Sequence, residues 1–204
     1  MSYAVSDHPL GPYKKGGVII DNTGCDPQSW NNHGSIEYFK GQWYLFYHRS
    51  SQNSHISRRV CAEPIYFDEN GCIQEVPQTC NGPEKPLDAK LNVDASIASR
   101  MSHGCYISPI ENGEAVFYRS NYEREEWIEY RVLDFGDGVS ELVLRIKGKG
   151  TVSVRCESML LGSMEYNCDN FTNIKLPVSS VSGPHILWIL LKGEDTVLDS
   201  FYFK

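Results

Sequence analysis

Short runs in which apolar and polar residues alternate recur along the chain, separated by glycine, proline, asparagine and aspartate. A period of two with such punctuation is the pattern of half-buried strands joined by turns. In the first part it predicts a short strand over residues 17–20 and a hairpin of 35–39 and 42–47 turning at Lys40-Gly41. A second hairpin of 60–67 and 72–76 turns at Asp68–Gly71. Four short antiparallel strands of this size make one propeller blade, which cannot bury both faces alone. In the second part strands are expected over 126–133, 141–146, 151–155, 171–176, 183–191 and 199–203, with turns at 135–138 and 147–150. That rhythm argues for an antiparallel β-sandwich. No helical period is visible. Between the two parts, Pro77, Pro83 and Pro86 interrupt any alternation, and the chain divides into residues 1–80, a linker over 81–90, and 91–204.

Composition agrees with this all-β reading. Among 204 residues there are 12 Tyr, 8 Phe, 17 Gly and 10 Pro, which favours strands and turns. The formal net charge of −7, spread over both parts, gives no nucleic-acid footprint. The longest apolar run, residues 186–191, is far short of the roughly twenty residues of a membrane span, so no membrane partner is expected. The first residues lack the basic and apolar regions of a signal peptide, which as it stands reads as cytoplasmic, although a longer parent protein would be free to be secreted. Seven cysteines, with no C-x-x-C pair, predict buried thiols rather than a disulfide framework or zinc site.

Three stretches carry a resemblance. Residues 3–12 (Tyr-Ala-Val-Ser-Asp-His-Pro-Leu-Gly-Pro), the Asn31-Asn-His-Gly-Ser-Ile36 block with Gly41-Gln-Trp-Tyr-Leu-Phe-Tyr-His-Arg49, and Ser57-Arg-Arg59 with Asp68-Glu-Asn-Gly-Cys-Ile73 occur in the order of a family 43 glycoside hydrolase. The first part resembles the end of blade four and all of blade five of that five-bladed propeller. The second part is similar to a family 6 carbohydrate-binding module, a jelly-roll sandwich, on Trp127-Ile-Glu-Tyr-Arg-Val-Leu-Asp-Phe-Gly136, Gly183-Pro-His185 and Asp199-Ser-Phe-Tyr-Phe203. The fold implied is thus the last blade of an incomplete propeller followed by an antiparallel sandwich. The function implied is the C-terminal part of an enzyme acting on xylan or arabinoxylan. A stand-alone carbohydrate-binding protein, or a structural protein with a remnant blade, is the alternative.

Glycoside hydrolysis needs a carboxylic acid and a carboxylate flanking the scissile bond. In the family these lie on earlier blades, and no residue here aligns with them, so no catalytic residue is assigned and the chain alone is expected to be inactive. Glu37, Glu63, Asp68 and Glu75 each have an ordinary structural explanation. The resemblance gives Arg58 a contact with sugar, makes Asn32 a rim residue, and points His33 into the channel, as a substrate contact and as a metal residue. There it implies a calcium ion in a complete enzyme, with none required by this chain. Calcium prefers oxygen ligands, so one histidine makes a weak site. Arg59 is expected to face away from Arg58, as a solvated charge. In the sandwich, Tyr118 or Tyr122 is the expected aromatic platform for sugar, while Phe171 and Val197 stand where the family has tryptophan and asparagine. Trp127 and Trp188 are read as core. Plant cell-wall polysaccharide and, in trans, the missing blades are the expected partners.

Overall fold

The strands expected over 141–146 and 151–155 are one continuous strand through the predicted turn at 147–150. Those over 183–191 and 199–203 are likewise one, and that over 171–176 begins at Met159. The computed structural model describes residues 1–25, 33–54, 56–119 and 123–204. Its strands are β1 (Ser2–Val5), β2 (Lys14–Val18), β3 (Gly34–Phe39), β4 (Gln42–Ser50), β5 (Arg58–Ile65), β6 (Leu87–Asp88) and β7 (Val93–Asp94). They continue with β8 (Arg100–Met101), β9 (Cys105–Ile110), β10 (Gly113–Tyr118), β11 (Glu126–Asp134), β12 (Glu141–Cys156), β13 (Met159–Pro177) and β14 (Pro184–Phe203). A single 3₁₀ turn, Ala95–Ile97, is the only helical element among the described residues. The fold is all-β.

In the first part, β3, β4 and β5 form an antiparallel sheet and β1 pairs with β2 in a separate ribbon. The expected second hairpin is reduced to a bridge between Phe67 and Ile73. Alternation along β4 sends Leu45 and Tyr47 to one face, where they meet Ile19, Ile20, Ile65 and Val76 in a small apolar cluster. Backbone bonds close it: the Ile19 N–H donates to the Met1 carbonyl at 2.9 Å and the Val76 N–H to the Ile19 carbonyl at 2.7 Å. The opposite face of β4 and β5 presents Phe46 and Val60 to solvent.

In the second part, β12 lies beside β14 along nearly its whole length, and β13 lies beside β12. The first stretch of β14 pairs with β11, Ile128 opposite Ile189, and the last with β10 and β7, Phe117 opposite Val197. The ladder therefore folds over on itself and both layers face one core, which includes Tyr130, Phe135, Leu144, Phe201 and Phe203. The bend falls where turns were expected. Gly148 has φ +101°, and a Cβ on Gly150 would stand 2.1 Å from the Lys192 carbonyl oxygen, so only glycine lets the two backbones approach and the register slip. Trp127 and Trp188 are half-buried rather than core, because Ile128, Tyr130, Leu187 and Ile189 take the inward positions. Within the expected linker, Leu87–Asp88 pairs in parallel with Leu133–Asp134, and just before it the Cys80 N–H donates to the Arg131 carbonyl at 2.6 Å.

Candidate functional site

Antiparallel pairing makes Arg49 and Arg59 cross-strand partners, and both guanidinium groups bond the sandwich. Arg49, only 6% exposed, donates from Nη2 to the Ala98 carbonyl at 3.0 Å and from Nη1 to the Ser99 carbonyl. Arg59 bonds the Glu114 carboxylate and the Ser96 carbonyl. It does face away from Arg58, but into a protein seam rather than into water, which corrects the expectation of a solvated charge. The loop between β4 and β5 adds two bonds to the same strand of the sandwich: Gln52 Nε2 donates to Glu114 Oε1 at 3.3 Å, and Arg119 Nη2 donates to Asn53 Oδ1. Charged donors on buried carbonyls are worth about 1.5–3 kcal/mol each, so this polar seam ties the two parts firmly.

The structure brings His33 and Arg58 to one end of the β3–β4–β5 sheet. The His48 N–H donates to the His33 carbonyl at 3.3 Å, their rings lie 5.3 Å apart, and Arg58 pairs with Ser50 at the end of β4. Arg58 is exposed, and its Nη1 donates to the Ile56 carbonyl at 3.1 Å. Asn32 and Tyr122 lie outside the described residues. Two imidazoles do not supply the oxygen ligands calcium takes. Among the described residues no group of three or more His, Cys, Asp or Glu could hold a metal ion, so these side chains alone do not fit one.

The carboxylates of this part have other occupations. Glu63 is 1% exposed and accepts from the Thr79 N–H at 2.7 Å and the Thr79 hydroxyl at 2.8 Å. Burial pushes its pKa up, against those hydrogen bonds and the nearby Arg49 charge. Asp68 accepts the N–H groups of Asn70 and Cys72 and closes a turn. Glu37 sits on exposed strand opposite Tyr44. Glu75 lines a separate pocket with Asp21 and Arg131.

A cavity of 780 Å³ forms an open cleft at the bend of β12 and β14, bordered by β9 and β10. Tyr106 and Phe117 are cross-strand partners there, stacked at 5.4 Å with 22° between their planes. The Arg119 guanidinium covers Tyr106 at 4.7 Å. Lys147, Asp169 and Glu194 supply charged groups at the sides. Tyr118, one of the two expected platforms, is 4% exposed and its hydroxyl donates to the Arg124 carbonyl at 2.7 Å. Val116 and Tyr118 share the inward parity of β10, so Phe117 carries the outward ring. Sequence reasoning missed both rings: Phe117 and Tyr118 are equally aromatic, and Ala115, which shares Phe117's parity, is itself buried. Val197 is buried opposite Phe117, and Phe171 lies under Arg145 and Lys147 at 5.2 and 5.5 Å. Phe117, backed by Tyr106 and set beside charged hydrogen-bonding groups, suits a solute with an apolar face and a polar rim.

A small antiparallel sheet joined through a polar seam to a folded-over sandwich defines a two-part all-β architecture, and known proteins share it. No family model matches the chain. A xylosidase/arabinosidase from Thermoclostridium stercorarium is 36% identical over 116 residues, covering 51% of this chain and 24% of the relative. The solved family 43 arabinoxylan arabinofuranohydrolase of Bacillus subtilis superposes on 100% of this chain with TM-score 0.58 and 20% identity, using 47% of its own length. A family 6 carbohydrate-binding module from Clostridium cellulolyticum, solved with xylose, covers 57% of this chain and 98% of the module, with TM-score 0.51 and 26% identity. The chain is thus similar to the C-terminal part of family 43 glycoside hydrolases, including a family 6-like sandwich, and spans about a quarter of the first of these relatives.

Proposed function

We propose that this chain is the C-terminal part of a glycoside hydrolase that acts on xylan or arabinoxylan, and that its sandwich holds the polysaccharide in the Tyr106–Phe117 cleft. The observation that carries the reading is the superposition of an arabinoxylan arabinofuranohydrolase over the whole of this chain, supported by a xylosidase/arabinosidase 36% identical over 116 residues. The exposed Phe46 and Val60 face supports it, since neighbouring blades, in the same chain or supplied in trans, would cover it. Calcium would belong to the completed channel. By itself the chain supplies positioning groups such as Arg58 and His33, and no acid–base pair.

The test is affinity electrophoresis in soluble arabinoxylan together with an assay on aryl xylosides and arabinofuranosides. The expected outcome is retardation that a Phe117→Ala substitution removes, with no turnover by the chain alone. Stacking on ring faces contributes only about 0.5–1.5 kcal/mol per aromatic contact beyond burial, so the binding is weak. No retardation at any polysaccharide concentration, or turnover abolished by Glu63→Gln, would overturn the reading.

A further inference from the structure

The loop between β4 and β5 belongs to the first part, yet one of its side chains reaches the rim of the Tyr106–Phe117 cleft. The loop turns tightly just after β4. The Ser54 N–H donates to the Ser51 carbonyl at 3.3 Å, and the residues between them, Gln52 and Asn53, have φ of +59° and +48°. Few side chains accept left-handed backbone, and asparagine is among those that do. Ser57 Oγ donates to Gln52 Oε1 at 3.2 Å and steadies the turn. Its apex meets the sandwich twice, through Gln52 on Glu114 and through Asn53 on Arg119. Of those two partners Arg119 lines the cleft, and Glu114 does not.

Arg119 is held along its whole length. Its backbone N–H donates to the Gly104 carbonyl at 2.8 Å, and its guanidinium lies 4.7 Å from the centre of the Tyr106 ring. The far end of the side chain, Nη2, donates to Asn53 Oδ1. Tyr106 in turn stacks on Phe117 at 5.4 Å. A long side chain lying across a ring keeps its place only if its far end is fixed, because many rotamers otherwise compete. A guanidinium is a rigid planar fork, so fixing one nitrogen sets the direction of every donor it carries. Close-packed groups pass such restraint on. The acceptor on the first part therefore sets Arg119, then Tyr106, then Phe117.

The geometry points to Asn53 as a positioning residue for the cleft, supplied by the other part of the chain: its Oδ1 holds Arg119 over Tyr106 and so prepares the Phe117 face for a sugar ring. This rests on the reading that the cleft holds polysaccharide. Asn53 is not among the cleft-lining residues and acts through Arg119. Coupling of this kind is reciprocal. If docking of the first part strengthens sugar binding, bound sugar strengthens docking by the same factor. Capture of polysaccharide thus stiffens the joint between the two parts.

The test is affinity electrophoresis of the full chain in soluble arabinoxylan, with three variants. Asn53→Gly removes the acceptor while keeping the left-handed turn, which glycine adopts freely, and should weaken binding about fivefold. Asn53→Asp keeps an oxygen in the same place and should restore it. Glu114→Ala cuts the neighbouring bonds from Gln52 and Arg59 and should leave it unchanged. A second measurement reads the reverse direction: arabinoxylan should slow trypsin release of the first part by a similar factor in the parent chain, and not in Asn53→Gly. Retardation lost in Phe117→Ala but intact in Asn53→Gly would overturn the positioning role and leave the cleft reading standing. Equal weakening in Asn53→Gly and Glu114→Ala, or no rescue by Asn53→Asp, would also overturn it, since the loss would then come from a loosened seam. So would trypsin release indifferent to arabinoxylan in a parent chain that binds it. No retardation of the parent chain would overturn the cleft reading, and the positioning role with it.

Discussion

The two parts of the molecule bury themselves very differently. Thirty apolar residues form the core cluster of the sandwich among the described residues, whereas six form that of the smaller first part. The sandwich is fastened by apolar contact between its own layers. The smaller sheet is fastened largely by what it borrows: Arg49 and Arg59 reach carbonyls of residues 96–99, and Arg59 also holds Glu114. A sheet with so small a core depends on its polar attachments, while a sandwich of this size can stand without them.

Substitutions in the larger core should therefore have the largest effect and act globally. Leu144→Ala should cost about 2–5 kcal/mol and lower the single main thermal transition, as read by calorimetry. Leu45→Ala, in the small cluster, should instead leave that transition nearly in place and expose residues 1–76 to protease. An equal loss in the main transition from both would break the comparison, and would mean that one cooperative unit spans the seam.

Removing the attachment should come next. Arg49→Met leaves the Ala98 and Ser99 carbonyls without their charged donor and should cost about 3 kcal/mol, seen as release of the blade to trypsin while fragments beginning near residue 85 persist. A smaller effect concerns pH. Because burial raises the Glu63 pKa above its ordinary 4.5, the native state binds its proton more tightly than the unfolded chain. Stability contributed by this group must then fall as pH rises from about 4.5 through the raised value. Glu63→Gln should flatten that slope, changing stability by about 1 kcal/mol or less in chemical denaturation at pH 4 and pH 7. The smallest effect belongs to the exposed Arg145–Asp199 pair at 2.8 Å, where Asp199→Asn should cost no more than about 0.5 kcal/mol.

Much of this was legible in the residues. The blade hairpin of β3 and β4 follows from strict alternation about Lys40-Gly41, and the sandwich class from repeated short alternating runs. What escaped were long-range facts. Lys147-Gly-Lys-Gly150 reads locally as a turn, yet the strand continues, because β14 offers a ladder on one side and β13 on the other. Tyr118 and Phe117 are equally aromatic in sequence, and only the parity set by neighbouring strands decides which faces out. Arg49 carries no local sign of burial. Its partners lie some fifty residues away, as do the seam residues Gln78 and Arg131 from one another, and pairing across such distances leaves no pattern in a short window.

The close backbone contact at Gly150 has a consequence for how this cleft can diversify. With a Cβ there forced to 2.1 Å from a carbonyl, the curvature of the cleft is written in main chain and is closed to point substitution. The side chains flanking it, Lys147, Lys149 and Glu194, carry no such constraint and line the same opening. An engineer wishing to retarget the cleft would keep the crease and randomise its borders. Natural drift faces the same division, a fixed mould with an interchangeable lining.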